Sequence, residues 1–94
     1  MVKAKGKFQR FGDFLKEIRQ IAGLSQQEVA KKLGYTSSQF ISNWERNLSY
    51  PPINAIKILA ELFEVGAETI FQKYLDSYVA DVSEDLKAKF ANTP

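Results

Sequence analysis

Apolar residues return every three or four positions along most of the chain. Phe11, Phe14, Leu15, Ile18 and Ile21 fall at i, i+3, i+4, i+7 and i+10, one stripe of a first helix. Gly23 suits its left-handed terminator. Ser25 followed three residues later by Glu28 has the form of a capping box. It opens a second short helix with Val29, Ala30 and Leu33 inward, ended by Gly34. Thr36-Ser37-Ser38-Gln39 opens a third, whose apolar members are Phe40, Ile41 and Trp44 and whose terminator is Asn47.

Tyr50-Pro51-Pro52 cannot continue a helix, and Pro52 suits the first turn of the next. That fourth helix carries Ile56, Leu59, Ala60 and Phe63 and is predicted to run to Gly66. A fifth starts at Ala67, with Ile70, Phe71, Tyr74, Leu75, Tyr78, Val79 and Val82 at helical spacing. Leu86 and Phe90 extend it, or Ser83 caps a sixth helix. No stretch alternates as a strand would. The expected class is all-α: a compact five-helix bundle with a C-terminal helical extension.

The 94 residues suffice for one small domain. Residues 1–10 carry Lys3, Lys5, Lys7 and Arg10 and no acid, and read as a flexible basic arm. Residues 11–80 form the predicted domain, and residues 81–94 the extension. The net charge of +2 hides an asymmetry. Residues 1–50 hold nine Lys/Arg and four Asp/Glu, whereas residues 51–94 hold four and seven. The basic half is where a polyanion is expected to bind.

The chain has neither cysteine nor histidine. Disulfides, thiolate or imidazole metal sites and Ser-His or Cys chemistry are excluded. The acids lie mostly at outward helical positions, so no enzyme is expected, and no cofactor. No apolar run reaches membrane-span length and no signal-peptide core is evident, so the expected compartment is the cytoplasm.

The informative stretch is Ser25–Asn47, two short helices joined by Gly34-Tyr35-Thr36. Ala30 suits a close helix crossing, and Ile41 and Trp44 pin the second helix to the core. Its outward face then offers Ser37, Ser38, Gln39, Ser42 and Asn43, short polar side chains able to donate and accept. An anchor on Phe40 instead of Ile41 would turn Ser37, Ser38 and Ser42 outward.

From about Phe11 to about Ile70 the sequence resembles the phage-repressor and Cro type of helix-turn-helix domain. The resemblance rests on Arg19, Gly23, Ser25-Gln26, Ala30, Gly34, Ile41-Ser42, Trp44-Glu45-Arg46, the prolines at 51 and 52, and Leu59-Ala60 with Leu62. It implies a five-helix DNA-binding bundle in which helix 3 enters the major groove. Ser38, Gln39, Ser42 and Asn43 are then expected at base edges, and Gln26, Ser37, Arg46 and Asn47 at phosphates. Arg19 and Glu45 are expected to form a structural ion pair away from DNA.

The implied function is a sequence-specific, repressor-like transcriptional regulator acting as a dimer on a two-fold symmetric site. The implied partner is double-stranded DNA, with no membrane. The apolar stripe of Tyr74, Tyr78, Val82 and Leu86, continued by Phe90, is assigned to a homodimer interface. The alternative is an antitoxin-like or regulatory module that uses the same stripe to hold a protein partner.

Overall fold

The computed structural model describes residues 9–94, so most of the basic arm lies outside the described residues. Five helices follow in order: α1 (Phe11–Ile21), α2 (Gln26–Lys32), α3 (Gln39–Glu45), α4 (Ala55–Phe63) and α5 (Ala67–Ala91). Phe11, Leu15, Ile18, Val29, Ala30, Ile41, Trp44, Ile56, Leu59, Phe63 and Ile70 make one core from all five. Burial of these side chains, each worth roughly 1.5–3 kcal/mol for the larger ones, is what holds helices as short as seven residues in place.

The loop chemistry follows the backbone's need to satisfy helix-end carbonyls. Gly34 has φ 82°, its N–H bonds the Lys31 carbonyl, and the Tyr35 N–H reaches Ala30 O at 2.9 Å. Asn47 repeats the arrangement after α3 with φ 63°, its N–H on Trp44 O and the Leu48 N–H on Asn43 O. The helix α4 is shorter than expected. It ends at Phe63 rather than running to Gly66, and Glu64 takes the left-handed position at φ 56°. Val65 N–H then closes on Ala60 O. A side chain at this φ costs about 1–2 kcal/mol. The closure fits because Val65 packs on the core.

Three further expectations change. Phe40 is 56% exposed and is not a core residue, and Ile21 is exposed as well. Pro52 precedes α4 in a turn, its carbonyl accepting the Ala55 N–H at 2.9 Å. No sixth helix starts at Ser83; α5 runs unbroken through residues 81–91. At 1.5 Å per residue its 25 residues span about 37 Å, too long for the rest of the bundle to cover. The radius of gyration of 15.0 Å exceeds the ~12 Å of a compact chain of this length because the distal part of α5 projects.

The proximal part of α5 completes the domain by a polar contact. The first N–H groups of a helix lack intrahelical partners, and Arg10 at the N-cap of α1 supplies no side-chain acceptor. The acceptors come from far along the chain. Fully buried Ser77 Oγ accepts from Phe11 N at 3.2 Å, and Asn47 Oδ1 accepts from Gly12 N at 2.8 Å. Tyr50 OH lies 2.9 Å from Ser77 Oγ and donates to Asp81 Oδ2 at 2.5 Å, where Arg10 also binds at 3.2 Å. Phe11, Tyr50, Tyr74 and Tyr78 stack around this network.

Desolvation, then the bond to Asp81, pushes the Tyr50 phenol above its ordinary pKa of 10.0. Desolvation and the neighbouring Tyr78 do the same for Tyr74. A phenol whose folded pKa is raised contributes stability that is full below the unfolded value and lost as pH rises through the folded one. Stability is therefore expected to hold up to about pH 10 and fall beyond it. Absorbance titration of the four tyrosines, followed alongside helicity, checks this: Tyr50→Phe should remove part of the alkaline loss.

Candidate nucleic-acid interface

Helix α3 is tied to α1 by an ion pair beneath it. Arg19 of α1 binds Glu45 of α3 through two bonds, Nε to Oε2 at 2.5 Å and Nη2 to Oε1 at 3.0 Å. Arg19 Nη1 also donates to Leu24 O at 2.8 Å. Both side chains are almost buried, and the bond to Glu45 raises the Arg19 pKa above its already high ordinary value. The expected structural pair is thus formed. Glu45 is buried behind α3, on the side away from its polar face.

Gln26 joins this arrangement. Its Nε2 donates to Glu45 Oε1 at 2.8 Å. A carboxamide nitrogen has two protons, so one remains for an acceptor outside the molecule. The capping box that precedes it is complete: Glu28 N reaches Ser25 Oγ at 3.0 Å, and Ser25 N reaches Glu28 Oε1 at 2.8 Å. The Ser25 backbone N–H, and after it the Ser25 hydroxyl, hold the Glu28 carboxyl below its ordinary pKa.

The rotation of α3 follows from its anchors. Ile41 and Trp44 are buried and Phe40 is not, so the register is the one set by Ile41. The helix α3 begins at Gln39 after Ser38. Tyr35 fills the inside of that turn, its ring 5.2 Å from Phe40 and 6.0 Å from Trp44. Ser37 Oγ accepts from Gln39 N at 3.3 Å. Thr36 and Gln39 form no capping box.

With this register, Gln39, Asn43 and Arg46 share one face of α3. Gln39 Nε2 donates to Asn43 Oδ1 at 2.9 Å, and Arg46 Nη2 donates to the same oxygen at 3.1 Å. The three side chains are one hydrogen-bonded row. Ser38 and Ser42 flank it, half-buried. The row is polar and carries a single positive charge.

Asn47 departs from its assignment. Its side chain turns back to cap α1 through Gly12 N, with its Nδ2 3.5 Å from Asp13 Oδ1. It is committed to the fold rather than presented beside Arg46. Gly12 is the companion feature that the pattern of apolar residues did not reveal. A methyl group there would overlap the Trp44 carbonyl oxygen and stand 2.6 Å from Asn47 Oδ1 and 2.8 Å from Glu45 O. The only sequence signal for such a close approach is a glycine one residue inside a helix, where it is otherwise unfavourable.

Tyr74 also departs from its assignment. It packs edge-on against Phe11, 5.4 Å between centroids, and its hydroxyl donates to Pro51 O at 3.2 Å. It belongs to the monomer's own packing. Tyr78, Val82 and Leu86 are exposed, and Tyr78 leans on Tyr50 and Tyr74.

The family model for helix-turn-helix domains matches residues 15–70, well over half the chain. The chain belongs to the helix-turn-helix family. It is a DNA-binding transcription regulator of the phage-repressor type, not an enzyme. Among solved structures it resembles one described as the master regulator for biofilm formation SinR in complex with DNA. The likeness has 29% identity and a TM-score of 0.57, and covers 65% of this chain and 97% of the other. No curated protein sequence matches. No helix among the described residues is long and apolar enough to cross a membrane.

Proposed function

We propose that the protein is a sequence-specific repressor-like regulator that binds a two-fold symmetric DNA site as a dimer, with α3 in the major groove. The observation that carries this reading is the Gln39–Asn43–Arg46 row on the outward face of a helix anchored by Ile41 and Trp44. The likeness to SinR, solved in complex with DNA, supports the DNA-binding part of this reading.

Asn43 is the centre of the proposed readout. In the free protein its Oδ1 takes both the Gln39 amide and the Arg46 guanidinium, which fills its two lone pairs. A bidentate pair with adenine needs that oxygen for the base amine and the nitrogen for N7. Binding therefore exchanges internal bonds for base contacts, and releases Gln39 and Arg46 towards a neighbouring base and a phosphate. Gln26, Ser37 and the freed Arg46 hold the backbone, and Ser38 and Ser42 lie beside the base edges.

Asn43→Ala and Gln39→Ala are each expected to weaken binding to the cognate site by about 1–3 kcal/mol and to relax preference at one base position. Gln26→Ala should weaken cognate and unrelated duplexes alike. Titrations against a cognate duplex and single-base variants measure both. Unchanged base preference in both α3 variants would remove α3 from the groove.

The second reading, a module whose α5 stripe holds a different protein, is favoured by the exposure of Val79, Val82, Leu86 and Phe90. Co-purification of a stoichiometric partner, with no selection among DNA sequences, would support it.

A further inference from the structure

We infer that two copies of the chain pair through α5 in antiparallel orientation, about a two-fold axis that passes between Ala80 and Asp81. The inference rests on the dimer of the proposed function and adds its geometry.

Seven large apolar residues of α5 are between 41% and 83% exposed; Tyr78 leans on Tyr50 and Tyr74 of its own body, and the other six are Phe71, Leu75, Val79, Val82, Leu86 and Phe90. At 100° per residue they lie within an arc of about 100°, beside the separate arc that turns Ile70, Tyr74, Ser77 and Asp81 to the body. Their spacing is four, four, three, four, four, and their identities are Phe, Leu, Val, Val, Leu, Phe. Position and chemistry both read the same from either end. A two-fold interface places one patch against itself, so a residue i that meets residue j of the second copy is matched by j meeting i. With the axis between Ala80 and Asp81, Val79 faces Val82 of the second copy, Leu75 faces its Leu86, and Phe71 its Phe90. Like sizes meet at every level. A parallel pair would also set like against like, but it would bring both bulky domains to one end of the helix pair.

Side-chain size agrees with the crossing geometry. Phe71-Leu75-Val79 and Val82-Leu86-Phe90 are both rows of i, i+4 spacing. Ridges of that kind interdigitate at a crossing angle of about 50° rather than along a shallow coiled coil. Helices crossing so steeply are closest at the centre and diverge outward. Valine stands at the centre, leucine further out, and phenylalanine at the ends, where the gap is widest.

Complete cover of the six residues would bury roughly 500–600 Å² per copy, about 1,100 Å² for the pair, just under the ~1,200 Å² at which stable interfaces begin, so the pairing also needs contact with the body. The interface also continues onto the body. Phe71 lines a groove of about 250 Å³ with Ile53, Ile56, Lys57, Ala67 and Glu68. Phe90 of the second copy arrives at this groove, the most exposed apolar ring of the stripe against the apolar floor beside α4.

The absence of cysteine makes the test direct. Leu75→Cys and Leu86→Cys are made separately in the full chain, and each is oxidised alone and as an equimolar mixture, without DNA. The two sites are exposed, so the variants are expected to fold, which helicity confirms. Sedimentation equilibrium of the unmodified protein is run beside them. The expected result is a dimer in which the mixture gives several-fold more cross-linked product than either variant alone, all of it joining one variant to the other. A dimer in which either variant cross-links efficiently to itself overturns the antiparallel geometry and leaves the dimer standing. A monomer at every concentration, with no cross-linking, overturns both. Neither outcome bears on DNA recognition by α3, which the α3 variants test separately.

Discussion

Glu45→Ala is expected to remove about 3–5 kcal/mol of stability, the largest effect of any single polar substitution in the domain. The reason is the position of Arg19, which is almost buried and spends its guanidinium on both Glu45 oxygens and on Leu24 O. Removing the carboxylate leaves a positive charge that cannot reach water without unpacking α1 from α3. Gln26 loses its internal acceptor at the same time. For a domain of this size the loss corresponds to a fall of roughly 15–30 °C in Tm. Thermal unfolding followed by circular dichroism measures it. The double variant Arg19→Met, Glu45→Leu should be markedly more stable than Glu45→Ala, because it removes the buried charge with its partner. A single variant that melts within a few degrees of the parent would mean that the pair is solvated and plays no part in setting the α1–α3 angle.

Gly12→Ala is the second large expectation, and its sign is not the one helix propensity suggests. Alanine in a helix interior is usually favoured over glycine by about 1 kcal/mol. Here the added methyl meets the Trp44 and Glu45 carbonyl oxygens, which are backbone and cannot rotate away. The first turn of α1 must then move off the end of α3, stretching the Gly12 N–H bond to Asn47. Overpacking of this kind costs about 1–3 kcal/mol, and a clash with backbone belongs at the upper end. A net loss of about 2 kcal/mol is expected in denaturant titration, with an unchanged slope. DNA affinity should fall as well, because the C-terminus of α3 carries Arg46 and is displaced with it. An alanine variant of equal or higher stability would show that α1 and α3 are not in backbone contact.

The elements of the fold were legible because each announces itself locally. The capping box at Ser25 and Glu28, the helical spacing of Phe11, Leu15 and Ile18, and the terminators at Gly34 and Asn47 all depend on near neighbours in sequence. The end of α4 was not, because the residue that turns left-handed is Glu64, and a glycine stood two residues away as a better candidate. Phe40 was misplaced for a related reason. A helical pattern of only seven residues cannot say whether its first aromatic residue is inside the bundle or outside it, and it is the Tyr35 ring that packs between Phe40 and Trp44.

The site shows the same division. The Arg19–Glu45 pair was recoverable from the family resemblance. The inward turn of Asn47, the recruitment of Gln26 by Glu45 and the capping of α1 by Ser77 were not, since each joins residues 19 to 66 positions apart. The phase of the α5 stripe belongs here too. Residues at i, i+4 and i+8 drift around a helix, so Tyr74 and Tyr78 looked continuous with Val82 and Leu86. The bundle fixes which side of α5 faces inward, and this assigns Tyr74 to the core and leaves Phe71, Leu75 and Val79 outside.

The central claim is that this helix-turn-helix reads a DNA sequence with the outward face of α3. The measurement that tests it most directly is selection from a pool of random duplex DNA by the purified protein at near-physiological salt. The expected result is a two-fold symmetric consensus with half-sites about one helical turn, or a whole number of turns, apart. An Asn43→Ala protein should lose preference at one position of each half-site. Recovery of no consensus, with binding that disappears as salt is raised, would mean contact with phosphates alone and would contradict the claim.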